Sequence, residues 1–214
     1  MAQARAATEG IKQPGILNMV LVNPTDDDVT SVYRYALDDP DLAERMTSDA
    51  INASATGHNC YCEGRTVRPG LNGKQRGDLN DTVAVFALTV DSDSDKGKAW
   101  TPIVPTSLAV EISPNNAHYW FFLDKAVDAQ TGKALGERLR AATNADQDTG
   151  VITQPYRLCG TVNFPTKAKL ERGRVVTPTR SLGFDPKTLW NPERFEQEFP
   201  ATTRTTNGGC QKQL

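Results

Sequence analysis

Three aspartates at alternate positions, Asp91, Asp93 and Asp95, end the run AVFALTVDSDSD that begins at Ala84. A strand turns alternate side chains to one face, so the three carboxylates form a cluster of hard oxygen donors suited to a divalent cation. One strand further on, SPNNAHYWFFL carries His118 just after a turn, where an imidazole can donate to a phosphate. Asp146 and Asp148 follow the next helix. Two carboxylates on one strand and a third from elsewhere are the donor set that phosphoryl and nucleotidyl transfer require, because two divalent ions bridge the attacking oxygen and the phosphates. A calcium loop does not fit. Its sixth position needs Gly and holds Lys96, its twelfth needs a bidentate Glu and holds Pro102, and the preceding segment reads as a strand.

The elements that must position these residues follow from periodicity and turn chemistry. GILNMVLVNP predicts a short strand ending at Asn23 and Pro24. The acids Asp26 to Asp28 predict a helix start, with Val29, Val32, Tyr33 and Ala36 on one face, and DLAERMTSDAINA predicts a second helix. NCYCEGRTV reads as a strand. RPGLNGKQRGDLNDT reads as a mobile loop that delivers Lys74 and Arg76 beside the acidic strand. TSLAVEIS and HYWFFL are strands joined by the SPNN turn. VDAQTGKALGERLRAATNA is a helix with Ala134, Leu135, Leu139 and Ala142 as its apolar stripe. PYRLCGTVNFP is a strand, and the segment after it is basic through Lys167, Lys169, Arg172, Arg174 and Arg180.

Composition sets the outer bounds. A chain of 214 residues with 38% hydrophobic and 23% charged residues is long enough for one compact catalytic unit, and a formal net charge of −2 carries no global basic signature. Any nucleic-acid contact is therefore local. Cys60, Cys62, Cys159 and Cys210 contain no CxxC pair and no His at finger spacing, which argues against a zinc ribbon or a disulfide framework. Residues 1–14 read as an unanchored N-terminus without an apolar targeting segment, and no stretch approaches membrane-spanning length. The expected setting is cytoplasmic. The catalytic unit is expected over residues 15–182. Residues 183–214 are expected to be a C-terminal extension or the start of a linker, so that the chain reads as the first domain of a longer protein, with a helicase module as a candidate partner.

In order, the strand ending in DxD, then SPNNAH, then an Asp followed by YRLCGTVN resemble the archaeo-eukaryotic primase superfamily, in particular the primase-polymerase domains of plasmid and phage replication proteins. The string Arg-Leu-Pro-Gly-Thr-x-Asn common in that branch stands here as RLCGTVN, with Cys159 in place of the Pro. The resemblance covers roughly residues 15 to 180. It implies an α+β fold in which an N-terminal α/β portion packs on an antiparallel sheet like that of the RNA-recognition motif, with the active site in the cleft between them. It further implies that Asp91, Asp93 and Asp146, with Asp148 as the fallback, hold Mg²⁺ or Mn²⁺ in a two-metal site. Ser113, His118 and Arg157 would contact the incoming nucleoside triphosphate, and Asp95 would be a solvated neighbour. The implied activity is template-directed primer synthesis or extension on single-stranded DNA during replication of a mobile element. A primase also needs a cationic groove for its template and primer, for which Lys74, Arg76, Lys167 and Lys169 are the candidates. Two other readings compete. A nicking initiator would need clustered histidines and a Tyr nucleophile, whereas the chain has only His58 and His118, far apart in sequence. A non-catalytic nucleic-acid-binding module would not need Asp91, Asp93 and Asp146 together.

Overall fold

The computed structural model describes residues 1–25 and 27–201. The strands are β1 Ile16–Val22, β2 Val29–Ala36, β3 Asn59–Cys62, β4 Arg65–Val67, β5 Thr82–Asp93, β6 Leu108–Ser113, β7 Asn116–Val127, β8 Tyr156–Arg157, β9 Val162–Asn163, β10 Thr177–Pro178 and β11 Arg180–Phe184. The helices are α1 Ala2–Ala7, α2 Leu42–Ala55, α3 Ala129–Thr143, α4 Lys167–Glu171 and α5 Pro192–Glu198. The fold is α+β, and its strand pairs are antiparallel. One sheet runs β11-β6-β7-β5-β4-β1-β3-β8, with β2 on the other edge of β1, so the N-terminal strands join β5 and the β6–β7 hairpin beyond it through β4.

Helices cover both faces of this sheet. On one face α1 and α2 bury Ala4, Ala7, Leu42, Met46, Ala50 and Ala53 against Met19, Phe86 and Trp120. On the other, Leu135 and Leu139 of α3 and Phe195 of α5 pack on Val85, Leu88, Val90, Phe121 and Leu123. The long central strands β5 and β7 read as near-continuous apolar runs because both of their faces are buried.

Three stretches differ from their sequence patterns. Residues 29–36 form the strand β2 rather than a helix, hairpinned to β1 in register from Ile16↔Ala36 to Val20↔Val32. Val32 and Tyr35 are buried and Tyr33 is exposed, and the β-branched and aromatic content of VTSVYRYA favours the pleat. Asp26, part of the expected helix start, lies outside the described residues. The N-terminus is anchored, because the small Ala4 and Ala7 let α1 lie close on the sheet while Arg5 donates to the Leu37 carbonyl at 2.9 Å. Residues 183–201 also belong to the core. Trp190, Phe195 and Phe199 are buried beside Phe121, an aromatic cluster hidden in a Pro- and Asn-rich stretch, and α5 is capped by Asn191 with Pro192 in its first turn. The residues from 202 onward, including Cys210, lie outside the described residues.

The Gly-rich loop between β4 and β5 is tied down rather than free. Arg65 is 1% exposed, and its guanidinium donates to Glu63 Oε2 at 3.0 Å and to the loop carbonyls of Asp78 and Gly77 at 2.6 and 2.8 Å. Without Arg65, Glu63 keeps only Arg76 as a partner and the loop carbonyls of Asp78 and Gly77 lose their donor. Arg65→Met is therefore expected to lower stability by about 1–3 kcal/mol in chemical denaturation. Arg68→Met, which breaks an exposed pair with Asp81, is expected to leave the midpoint nearly unchanged. Equal effects of the two substitutions would contradict the assignment.

Candidate active site

The face of the sheet that carries Trp120 becomes polar toward one end. Along β7 the side chains pass from Phe122 and Trp120 to His118, and along β5 from Ala87 through Thr89 to Asp91 and Asp93. The register pairs Asp91 with His118 and Asp93 with Asn116. His118 lies edge-on to Tyr156, which is itself edge-on to Trp120, so the apolar ladder ends directly behind the acidic residues.

Beyond Ala87 the β4 side of β5 is taken over by residues 146–150. Asp146 N donates to the Asp91 carbonyl at 3.1 Å, Asp91 N to Thr149 Oγ1 at 3.0 Å, and Gly150 N to the Thr89 carbonyl at 2.9 Å. This stitching brings one carboxylate oxygen each from Asp91, Asp146 and Asp148 within 4.8 Å of one another. Burial, followed by the neighbouring Asp146 and Asp91, pushes the Asp148 carboxyl above its ordinary range. Burial acts in the same direction on Asp91, but hydrogen bonding and charge from His118, followed by Lys96 and Lys169, hold it below that range. Three hard oxygen donors drawn this close together fit Mg²⁺ or Mn²⁺ in charge and donor type.

Asp91 and Asp148 border a cleft of about 410 Å³. Val20, Val22 and Tyr61 of β1 and β3 form one wall, and Asp91, Asp93 and His118 of β5 and β7 form the other. Asp148, Arg157, Arg76 and Lys169 also face it. His118 Nε2 is 3.5 Å from Asp91 Oδ1, and among the described residues its buried Nδ1 has no hydrogen-bond partner. Arg157 is held by Asn59 Oδ1 at 2.7 Å and lies over the Tyr61 ring, and burial lowers its pKa. Arg76 reaches the cleft while donating to Glu63 Oε1 and to the Thr153 carbonyl, each at 3.0 Å.

The remaining sequence candidates lie off the cleft. Ser113 is buried behind it, accepting from Asn116 and Arg174. Lys74 and Lys167 are exposed outside its lining. Asp95 pairs with Arg174 on the 3₁₀ turn that follows β5. Asp146 is 3% exposed, and Asp148, the fallback, is the one of the two that faces the cleft.

Two cations that sequence reasoning did not single out as site residues stand at the acids. Lys96 Nζ is 2.8 Å from Asp146 and 3.7 Å from Asp93, and the Asp146 hydrogen bond leads the rise in its pKa. Arg174 Nη2 is 3.7 Å from Asp93. Lys96 was legible only as part of the KGK after the strand, and Arg174 only as one member of the basic stretch.

No family model and no curated protein matches the sequence. Solved structures do. The AEP domain of the cyanophage S-2L primase-polymerase (PrimPol) superimposes with a TM-score of 0.59 at 14% identity, over 88% of this chain and 91% of that one. Primase RepB′ gives a TM-score of 0.55 at 16% identity, over 92% of this chain and 61% of that one. The catalytic domain of the same primase, in complex with initiator DNA, gives 0.54 at 17% identity over 92% of both chains. These domains superimpose on 88–92% of the chain and share its arrangement of helices on both faces of an antiparallel sheet: the chain has the archaeo-eukaryotic primase-polymerase fold.

Proposed function

We propose that this chain is a primase-polymerase, a metal-dependent nucleotidyltransferase that makes or extends primers on single-stranded DNA during replication of a mobile element. The observation that carries this reading is the meeting of Asp91, Asp146 and Asp148, of which Asp91 and Asp148 line one cleft with His118 and Arg157, in a primase-like fold. In this reading Asp91, Asp146 and Asp148 hold Mg²⁺ or Mn²⁺ and Asp93 flanks them. A bound divalent ion supplies charge neutralisation at the reacting phosphate and lowers the pKa of the attacking 3′-hydroxyl. The rest is positioning and electrostatics by the chain itself.

His118 and Arg157 present donors to the nucleotide's phosphates, where negative charge builds as the 3′-oxygen attacks the α-phosphorus. Arg157 is preorganised for this by its bond to Asn59 and its stack on Tyr61. Ser113 acts from behind, through Arg174 and Asn116, rather than by direct contact. Arg76 and Lys169 line the cleft and are the stronger template candidates; Lys74 and Lys167 extend the cationic track outward on exposed surface. A two-histidine nicking site has less support, because His118 lines the cleft and His58 does not.

The test is primer synthesis by the purified protein on a single-stranded template with labelled nucleotides and Mg²⁺ or Mn²⁺. Metal-dependent product is expected, and EDTA should abolish it. Failure both to make a primer and to extend a supplied one, with Asp91→Ala binding DNA and nucleotide as the parent does, would leave the chain a binding module.

A further inference from the structure

Lys96 has no part in the chemistry just described, yet it sits inside the acidic group. It lies on the 3₁₀ turn Ser94–Lys96, which brings its stem back over the end of β5. Its ammonium spans Asp146 Oδ2 at 2.8 Å and Asp93 Oδ2 at 3.7 Å, so it touches one of the three clustered carboxylates and the flanking one together. An ammonium there supplies a single positive charge where the donor set is built for more.

The side chain can leave. Lys96 is 55% exposed, and among its described ion pairs both partners are these acids. It also borders a second cavity of about 530 Å³, which shares Asp93, Lys96, Lys169 and Arg174 with the cleft and adds Arg172 and Asp95. Asp93 and Asp95 pair there with Arg174, so an ammonium swung off the acids would leave four cations facing two carboxylates. That surplus of positive charge favours a multiply charged anion in the space. Linkage then requires the two events to favour each other: a divalent ion that displaces Lys96 creates a site for polyphosphate, and polyphosphate that draws Lys96 away opens the acids.

We infer that Lys96 is a displaceable internal counter-ion of the metal site, which yields its place on Asp146 and Asp93 to a divalent ion and transfers to the polyphosphate of an incoming nucleotide. This rests on the metal reading of Asp91, Asp146 and Asp148. It makes metal and triphosphate binding mutually dependent, and nucleotide-free protein a poor metal binder.

The experiment counts Mn²⁺ bound to the nucleotide-free full chain by the electron paramagnetic resonance of free Mn²⁺, for the parent, Lys96→Gln and Lys169→Gln. Lys169 contributes charge to Asp91 without an ion pair to it, so its variant measures the general effect of removing one nearby charge. Lys96→Gln is expected to bind Mn²⁺ about tenfold more tightly than the parent, and Lys169→Gln to change it by less than about threefold. In a second arm, at Ca²⁺ saturating for parent and variant alike, tripolyphosphate, which has the phosphate chain of the nucleotide without its base or sugar, should bind Lys96→Gln several-fold more weakly. Equal Mn²⁺ affinities for the two glutamine variants, or unchanged tripolyphosphate binding in Lys96→Gln, would overturn the inference. Mn²⁺ binding that Asp91→Asn leaves intact would instead overturn the metal reading on which it rests.

Discussion

Asp91→Asn is expected to lower nucleotidyl transfer by on the order of 10³-fold while the protein remains folded. The substitution is nearly isosteric and removes one charge from a group in which three carboxylate oxygens lie within 4.8 Å. Against burial, His118, Lys96 and Lys169 hold the Asp91 carboxyl below its ordinary range, so its charge favours the folded state and its neutralisation should lower thermal stability modestly without unfolding the protein. Loss of a divalent ion's charge at the reacting phosphate is worth several kcal/mol, and about 4 kcal/mol corresponds to 10³ in rate. Asp148→Asn is expected to be at least as damaging as Asp146→Asn, because Asp148 faces the cleft whereas Asp146 is buried and paired with Lys96. Primer extension and Mn²⁺ titration on each variant check this. A rate within tenfold of the parent for Asp91→Asn, with metal binding intact, would remove Asp91 from the metal site.

The second large effect is expected where α3 meets the backbone of the segment that carries Asp146 and Asp148. Helix α3 turns Gly132 and Gly136 toward the sheet, and a Cβ at Gly136 would lie 1.8 Å from the Gly150 carbonyl oxygen, a backbone atom. Gly136→Ala improves helix propensity by about 1 kcal/mol, but a contact that short cannot be relieved by turning a side chain. Either α3 lifts from β5 or residues 146–150 move away from it. The second outcome unpicks the hydrogen bonds from Asp146 and Gly150 to β5 and separates Asp146 and Asp148 from Asp91. Overpacking of this kind costs typically 1–3 kcal/mol. We expect Gly136→Ala to lose stability by that amount and primer synthesis by tenfold or more. Gly183→Ala, where a Cβ would meet nothing within 4 Å, should change neither. A Gly136→Ala protein with parental stability and rate would show that the packing of α3 does not hold the loop.

Much of the site could be anticipated from local pattern. A strand-forming run ending in DxD keeps Asp91 and Asp93 on one face wherever the strand lies, and a tight SPNN turn obliges β6 and β7 to pair. It took the sheet order, which puts β7 rather than β6 next to β5, to set His118 opposite Asp91. Helix α3 was legible from its period, yet its packing face was misread. Ala134 and Ala142 are exposed, whereas Gly132, Gly136 and Thr143 are buried with Leu135 and Leu139. Apolarity does not mark a face chosen for closeness of approach. In β2 the apolar residues satisfied both a helical and an alternating spacing, and only pairing with β1 selected the strand. The C-terminal aromatics Trp190, Phe195 and Phe199 were masked by their Pro- and Asn-rich surroundings.

By itself the sequence determined the acidic strand, a histidine just after the SPNN turn, the order of most elements and a resemblance to primase-polymerases. Tertiary structure decided which acids meet. Asp146 and Asp148 lie more than 50 residues from Asp91 along the chain, and no local period encodes the backbone bonds from Asp146 and Gly150 to β5 or the glycine contact that lets them form. The same holds for Lys96 and Arg174. A lysine after a strand and an arginine in a basic stretch are indistinguishable from solvated charges until the fold sets them against Asp146, Asp93 and Asp95, because ion pairing depends on distance in space and not on separation in the chain.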